Sequence, residues 1–134
     1  MTKDEIIAKI KSLNLPADSY VVFGSSPLAV AGIREAQDID LVVSPEILEQ
    51  FKKAGWKRLD KGPRDKPLAH DVFEVHDDWH FSSYNPTLQD LHATATWVDG
   101  VPFASLAEVR KWKSSAARPK DLEDIKLIDE YLKQ

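Results

Sequence analysis

The chain contains no cysteine, so it has no disulfide framework and no thiolate for metal binding or nucleophilic catalysis. No apolar run approaches the length of a membrane span, and the first residues show no hydrophobic core of a signal peptide. We therefore expect a cytoplasmic protein without a membrane partner. With a net charge of −4, the chain lacks the basic excess that broad, sequence-independent nucleic-acid binding requires.

Internal repeats, low-complexity tracts and interdomain linkers are also missing from the 134 residues. Hydrophobic residues make up 43% of the chain and charged residues 30%, which is ordinary for a globular protein. We expect a single domain over residues 1–134, long enough to enclose a hydrophobic core.

The most informative stretch begins with the apolar residues 21–23, which favour a strand buried on both faces. Gly24 follows, and a residue without a Cβ lets the backbone turn sharply or approach a ligand closely. Ser26 and Pro27 predict a helix start, with Ser26 at the N-cap and Pro27 in the first helical position. Free N–H groups and the positive end of a helix would then favour a phosphate near Gly24. A tight turn that binds nothing is the alternative.

Two carboxylates follow on the next apolar stretch, residues 37–43. In a strand, residues two apart share a face, so Asp38 and Asp40 are expected to project together. Neighbouring like charges on a sheet are unfavourable unless a cation neutralises them. Carboxylate oxygens beside a phosphate suit Mg²⁺. The alternative is a solvated strand end with two acids at a turn.

Asp38-Ile39-Asp40 follows Gly24-Ser25 after twelve intervening residues. This pattern resembles the signature of the nucleotidyltransferase superfamily, whose fold is shared with polymerase β. The segment 118–125, RPKDLEDI, resembles small bacterial members near the antibiotic and toxin–antitoxin nucleotidyltransferases. The resemblance implies an α/β (α+β) fold with a short mixed sheet, flanking helices and a C-terminal helical hairpin.

The resemblance also implies an activity: Mg²⁺-dependent transfer of a nucleoside monophosphate from a triphosphate such as ATP to a hydroxyl-bearing acceptor, with release of pyrophosphate. The acceptor could be a small molecule, a protein or an RNA. Asp38 and Asp40 would hold two Mg²⁺ ions together with a third carboxylate from a later strand, which would serve as base. Glu74 is the best match for this carboxylate, but Asp71 and Asp77 stay open because the sequence does not fix strand register.

The same resemblance implies that Gly24 and Ser25 would hold the β- and γ-phosphates. It also implies that Lys113 and Lys120 would offset charge on the leaving pyrophosphate. Two other functions remain open. The chain could bind a nucleotide without turnover, or it could belong to a toxin–antitoxin pair and bind a small helical protein partner.

The residues 52–66 carry seven Lys or Arg against two Asp, which predicts either a solvated surface or a basic rim for a phosphate-bearing acceptor. The four histidines have no cysteine partners and no helical ligand spacing, so we expect no zinc site. His76 or His80 could line the acceptor pocket.

The remaining pattern predicts a loop over residues 60–69, a short strand over residues 79–81 and a hairpin that turns at Asp99 and Gly100. A final helix follows Pro119, and its first turns hold Asp121 and Asp124, where acids favour the helix dipole. Its apolar residues, expected to form a buried stripe, are Leu122, Ile125, Ile128 and Leu132.

Overall fold

The computed structural model describes residues 1–63, 65–80 and 83–134, and these residues form six helices and seven strands. The helices are α1 (Lys3–Ser12), α2 (Ser26–Val30), α3 (Pro45–Lys53), α4 (Leu88–Ala93), α5 (Leu106–Ala116) and α6 (Pro119–Leu132). The strands are β1 (Tyr20–Phe23), β2 (Ile39–Val43), β3 (Lys57–Arg58), β4 (Leu68–His70), β5 (Phe73–His76), β6 (Thr96–Val98) and β7 (Val101–Phe103). Among the helices described, none is long and apolar enough to cross a membrane.

The strands form one mixed sheet in the order β3-β4-β5-β2-β1-β7-β6. Strands β2 and β5 pair in parallel, as do β1 and β7, while the other neighbours are antiparallel. The two strands that the apolar runs predict, β1 and β2, lie side by side at the centre. With helices on its faces and the α5–α6 pair at the C-terminus, the molecule confirms the predicted fold class.

Alternation along the central strands divides the core between the two faces of the sheet. Val22 and Leu41 pack with residues of α1 and α3 on one face. Val21, Phe23 and Val42 pack with residues of α4, α5 and α6 on the other face. Because side chains two apart share a face, Asp40 lies on the same side as Val42, towards α5 and α6.

Two local features follow from neighbouring residues, and the second of them, the hairpin, confirms a prediction. Thr2 and Glu5 form the capping box of α1. The hairpin β6–β7 turns at Asp99 and Gly100, which have φ angles of 50° and 80°. Positive φ at both central residues is the conformation that a two-residue hairpin requires.

The start of α2 differs from the prediction. Ser25, not Ser26, stands at the N-cap, and α2 ends after five residues at Val30. The Ser26 hydroxyl donates a hydrogen bond to the carbonyl oxygen of Asp38 at 3.4 Å instead of capping the helix. This bond ties the turn to the start of β2, and Asp38 lies one residue before that strand.

Strand β4 begins inside the stretch predicted as loop, because Leu68 and Ala69 pair with β5. This pairing depends on a distant strand, which local turn signals do not reveal. The predicted strand over residues 79–81 is wrong for Trp79 and His80, which lie outside any strand. Phe81 is outside the described residues, as are Arg64 and Ser82.

The buried face of α6 is the largest departure from prediction. Leu122 and Leu132 are 54% and 56% exposed, whereas Asp121, Asp124 and Ile128 are buried. The two aspartates face Lys113 on α5, which is itself buried. An ammonium group removed from water requires charged partners, and this requirement outweighs the apolar pattern of the helix.

Candidate active site

A single cavity opens where β1 ends and where β2 and β5 begin. It is lined by all seven residues predicted for the site from the sequence: Gly24, Ser25, Asp38, Asp40, Glu74, Lys113 and Lys120. These residues come from five separate segments of the chain. The sheet and the α5–α6 pair therefore bring together what the sequence holds apart.

Gly24 lies directly against Asp40 because Phe23 and Asp40 are register partners in the antiparallel pair β1–β2. Gly24 has a φ of +69°, in the left-handed region that favours glycine. A Cβ at this position would lie 3.0 Å from both Cβ and Cγ of Asp40, and closer still to its Oδ2 atom. The turn thus requires glycine for its conformation and for the approach of the carboxylate.

Asp40 and Glu74 are neighbours across the parallel pair β2–β5, where they are register partners. The two alternatives for the third carboxylate lie elsewhere: Asp71 forms an ion pair with Lys9 at 3.0 Å, and Asp77 lines a different cavity. The geometry thus favours Glu74 over Asp71 and Asp77. The signal in the sequence was an acid between two apolar strand residues.

Two cationic or ionisable side chains contact these carboxylates. The Nε2 atom of His76 lies 3.1 Å from Oδ1 of Asp40, and the ammonium of Lys61 forms an ion pair with Glu74. Burial would lower the pKa of Lys61, but the hydrogen bond and charge of Glu74 outweigh it and raise the pKa. Lys61 belongs to the basic segment 52–66, while His76 was a candidate for the acceptor pocket.

The carboxylates fit Mg²⁺ by the chemistry of their donor atoms. Asp38, Asp40 and Glu74 offer oxygens to one cavity, and Mg²⁺ binds through one or two carboxylates plus substrate phosphates and water. In the part of the chain that the structure describes, no group of three His, Asp or Glu side chains is arranged to hold a metal ion. A nucleotide phosphate would therefore have to complete the coordination.

The opposite wall of the cavity is a network of charges on α5, α6 and the segment after α2, which we call the charge network: Arg34, Lys113, Arg118, Asp121 and Asp124. The Lys113 ammonium lies 2.9 Å from Oδ2 of Asp124 and 3.4 Å from Oδ1 of Asp121. Arg34 donates two hydrogen bonds of 2.9 Å to Asp124. Arg118 does the same to Asp121, at 2.6 and 3.1 Å.

Burial in the charge network would raise the pKa of both aspartates, but their cationic partners outweigh it. Hydrogen bonds from Arg34 and Lys113 lower the pKa of Asp124, and those from Arg118 lower the pKa of Asp121. Both groups are therefore carboxylates at neutral pH. Three cations against two anions leave the charge network with one excess positive charge, facing the carboxylates of the sheet.

The two lysines predicted to contact the triphosphate occupy different environments. Lys113 is only 3% exposed, and its ammonium is held by two carboxylates. Lys120 is exposed at the start of α6 and lines the cavity. Arg34 and Arg118, which also line the cavity, were not identified from the sequence. Arg118 belongs to the C-terminal motif, but Arg34 has no sequence signal.

An aromatic cluster lies beneath the cavity. The rings of Phe23 and Trp79 stack with centroids 4.7 Å apart, and Trp112 meets Phe23 edge-on at 5.4 Å. Trp79 also contacts the ring of His76 at 4.8 Å. This packing fixes the end of β1 and orients the histidine beside Asp40. No local pattern in the sequence indicates that these distant aromatic residues meet.

A solved structure resembles nearly the whole chain. The crystal structure of ANT(2″)-Ia in complex with adenylyl-2″-tobramycin superposes with a TM-score of 0.54 and 15% identity, covering 95% of this chain and 85% of that chain. No family model matches the sequence, and no curated protein matches it significantly. At this identity the similarity establishes the architecture. The chain therefore has the same fold as ANT(2″)-Ia, in agreement with the polymerase β-like fold that the sequence resemblance implies.

Proposed function

We propose that this protein is a Mg²⁺-dependent nucleotidyltransferase that transfers a nucleoside monophosphate from a nucleoside triphosphate to a hydroxyl group and releases pyrophosphate. One observation carries the proposal: a single cavity joins the Gly24 turn, three carboxylates and a cationic wall. Such a cavity can hold a polyphosphate between metal-binding and positively charged surfaces. The fold supports the same reaction class.

Different residues of the cavity would bind different phosphates of the nucleoside triphosphate. Backbone N–H groups near Gly24 and Ser25 would contact the β- and γ-phosphates, with the Ser25 hydroxyl as a further donor. Lys120 and Arg118 would offset charge on the leaving pyrophosphate, because their side chains reach the cavity from its cationic side. Lys113 would act through Asp121 and Asp124, which hold the wall in place.

In the reaction, the acceptor oxygen attacks the α-phosphorus of the triphosphate in line with the leaving group. The bond between the α-phosphorus and its bridging oxygen to the β-phosphate breaks, and pyrophosphate departs. Glu74 would receive the proton of the attacking hydroxyl. Asp38, Asp40 and Glu74 would hold two Mg²⁺ ions, which when bound lower the pKa of the attacking oxygen and neutralise phosphate charge. Positioning and charge supply most of the catalysis.

For the acceptor, the complex of ANT(2″)-Ia with adenylyl-2″-tobramycin suggests the first pair to test, ATP with an aminoglycoside. Other hydroxyl-bearing small molecules, proteins and RNA complete the panel. A cytoplasmic location remains our prediction, because nucleoside triphosphates are cytoplasmic substrates.

A second candidate function is nucleotide binding without turnover. The observation in its favour is that Lys61 and His76 already contact Glu74 and Asp40. If these contacts persisted with nucleotide present, the carboxylates could not complete a two-metal site.

Titration calorimetry with Mg²⁺ and a non-hydrolysable ATP analogue tests the site. We expect the double variant Asp38→Asn/Asp40→Asn to lose binding and to keep its circular dichroism spectrum. The matched control, Asp77→Asn/Asp78→Asn, removes two exposed acids that line a neighbouring cavity and should bind as wild type does. Equal binding by wild type and the Asp38/Asp40 variant would refute the site.

Transfer itself is measured with ATP labelled at the α-phosphate, over the acceptor panel. Label on any acceptor, lost in the Asp38/Asp40 variant, supports the enzyme. Tight Mg²⁺-dependent binding without transfer to any acceptor favours the second candidate.

A further inference from the structure

Lys61 lies at the tip of the hairpin formed by β3 and β4, and backbone hydrogen bonds fix its position. The Lys61 N–H donates to the carbonyl oxygen of Asp65 at 2.8 Å, and the Leu59 N–H donates to that of Pro67 at 2.9 Å. These bonds close the tip of the hairpin beside the cavity, which Lys61 and Asp65 both line. The Lys61 backbone is therefore anchored while its four-carbon side chain keeps its own freedom.

The Lys61 ammonium neutralises the carboxylate that the proposed function requires for metal binding. It pairs with Glu74, whose side chain is 11% exposed, whereas the Lys61 side chain is 44% exposed. Asp40 and Asp65 add to the field that favours the charged lysine. A largely buried glutamate thus has, among the described residues, its counter-charge on a partly exposed and flexible side chain.

An ammonium ion and a divalent cation exclude each other at one carboxylate, because like charges a few ångströms apart repel strongly in a partly buried site. Metal binding at Glu74 therefore requires Lys61 to withdraw. Since its backbone is anchored at the cavity, the released ammonium stays within reach of whatever anion enters. In a nucleotidyltransferase that anion is a polyphosphate.

We propose that Lys61 is the resident counter-ion of the carboxylate site: the divalent cation displaces it from Glu74, and its ammonium then contacts a phosphate of the bound nucleotide. This inference rests on the proposed function and makes Lys61 a nucleotide-binding residue of it. The same side chain opposes binding of the metal alone and favours binding of the metal–nucleotide complex.

Opposite effects on two ligands test the proposal. Calorimetry would compare wild type with Lys61→Met, using Mg²⁺ alone and then Mg²⁺ with a non-hydrolysable ATP analogue. Removal of the competing ammonium should tighten binding of Mg²⁺ alone about two- to fivefold, as expected for a partly exposed ion pair. Loss of a charged contact to phosphate should weaken binding of the nucleotide complex about tenfold.

Two further variants serve as controls. Lys66 lies on the same hairpin, and Lys66→Met makes the same change in net charge. Lys66 pairs with the exposed Asp60 at 3.9 Å, however, and does not line this cavity. It should change neither affinity. Lys61→Arg keeps the charge and should retain most of the nucleotide affinity. Melting temperatures in EDTA show that each variant is folded.

Three results would overturn the inference. If Lys61→Met bound both Mg²⁺ alone and the metal–nucleotide complex more tightly, the lysine would only oppose ligand binding at the site. If Lys61→Met and Lys66→Met behaved alike, only long-range charge would be involved. If wild type bound the metal–nucleotide complex and Lys61→Met left both affinities unchanged, the inference alone would fail. Absence of nucleotide binding by wild type would instead refute the proposed function, and the inference with it.

Discussion

The substitution Gly24→Ala would place a methyl group against the Asp40 carboxylate. Two costs add at this position. Alanine in the left-handed region, at a φ of +69°, costs about 1 kcal/mol after allowing for the reduced freedom of the unfolded chain. The contact with Asp40 adds about 1–3 kcal/mol, the usual range for a group forced into a filled space. We expect a total destabilisation of about 2–4 kcal/mol.

The control is Gly32→Ala, because Gly32 has a similar φ of +79° and nothing within 4 Å of an added Cβ. Its cost should be the backbone component alone, about 1 kcal/mol. The difference between the two variants, measured by guanidinium unfolding with unchanged m-values, isolates the contact with Asp40. The double variant Gly24→Ala/Asp40→Ala should recover part of the loss, since it removes the carboxylate and leaves only the Cβ of residue 40.

Gly24→Ala should also abolish nucleotide binding, because the displaced Asp40 can no longer share the cavity with the turn. Equal destabilisation by Gly24→Ala and Gly32→Ala would refute the reasoning, since it would mean that Gly24 and Asp40 do not touch. The reasoning would also be refuted if the destabilisation of the double variant equalled the sum of the destabilisations by Gly24→Ala and Asp40→Ala.

The charge network gives two further predictions. Lys113→Met should destabilise the protein by about 3 kcal/mol in guanidinium unfolding, because it leaves two buried carboxylates short of a cation, whereas the exposed Lys120→Met should change stability by less than about 0.5 kcal/mol. A cost for Lys113→Met as small as that of the control would contradict the burial of the network. The second concerns pH. Hydrogen bonds from Arg34 and Lys113 hold the pKa of Asp124 below its ordinary value of 3.8 despite burial. The Asp124 carboxylate therefore stabilises the fold fully above pH 3.8, and this stabilisation is lost as pH falls through the lowered pKa. The free energy of unfolding of wild type, measured from pH 6 to pH 2, should decline below about pH 4, and that of Asp124→Asn should decline less. Equal slopes for the two proteins would contradict the lowered pKa of Asp124.

The centre of this molecule could be predicted from the sequence because the signals there are local. The apolar stretches around residues 20–23 and 39–43 specify strands buried on both faces, whichever other strands join them. Gly24 specifies a turn that no other residue adopts easily, and Asp-Gly at 99–100 specifies a two-residue hairpin. The alternation that places Asp40 on one face is a property of any strand. Gly24, Ser25, Asp38 and Asp40 could therefore be grouped before the fold was known.

Which distant residues join that centre depends on how the strands and helices pack together. Glu74 reaches the site because β5 pairs in parallel with β2 at one register, and no short segment encodes that register. The position of Lys61 depends on the pairing of β3 with β4, and of β4 with β5, at one end of the sheet. Asp121 and Asp124 turn inward, in place of the leucines of α6, because the buried Lys113 of another helix needs counter-charges. Turns and strand faces follow from neighbouring residues, whereas the pairing of charges follows from which surfaces fold together.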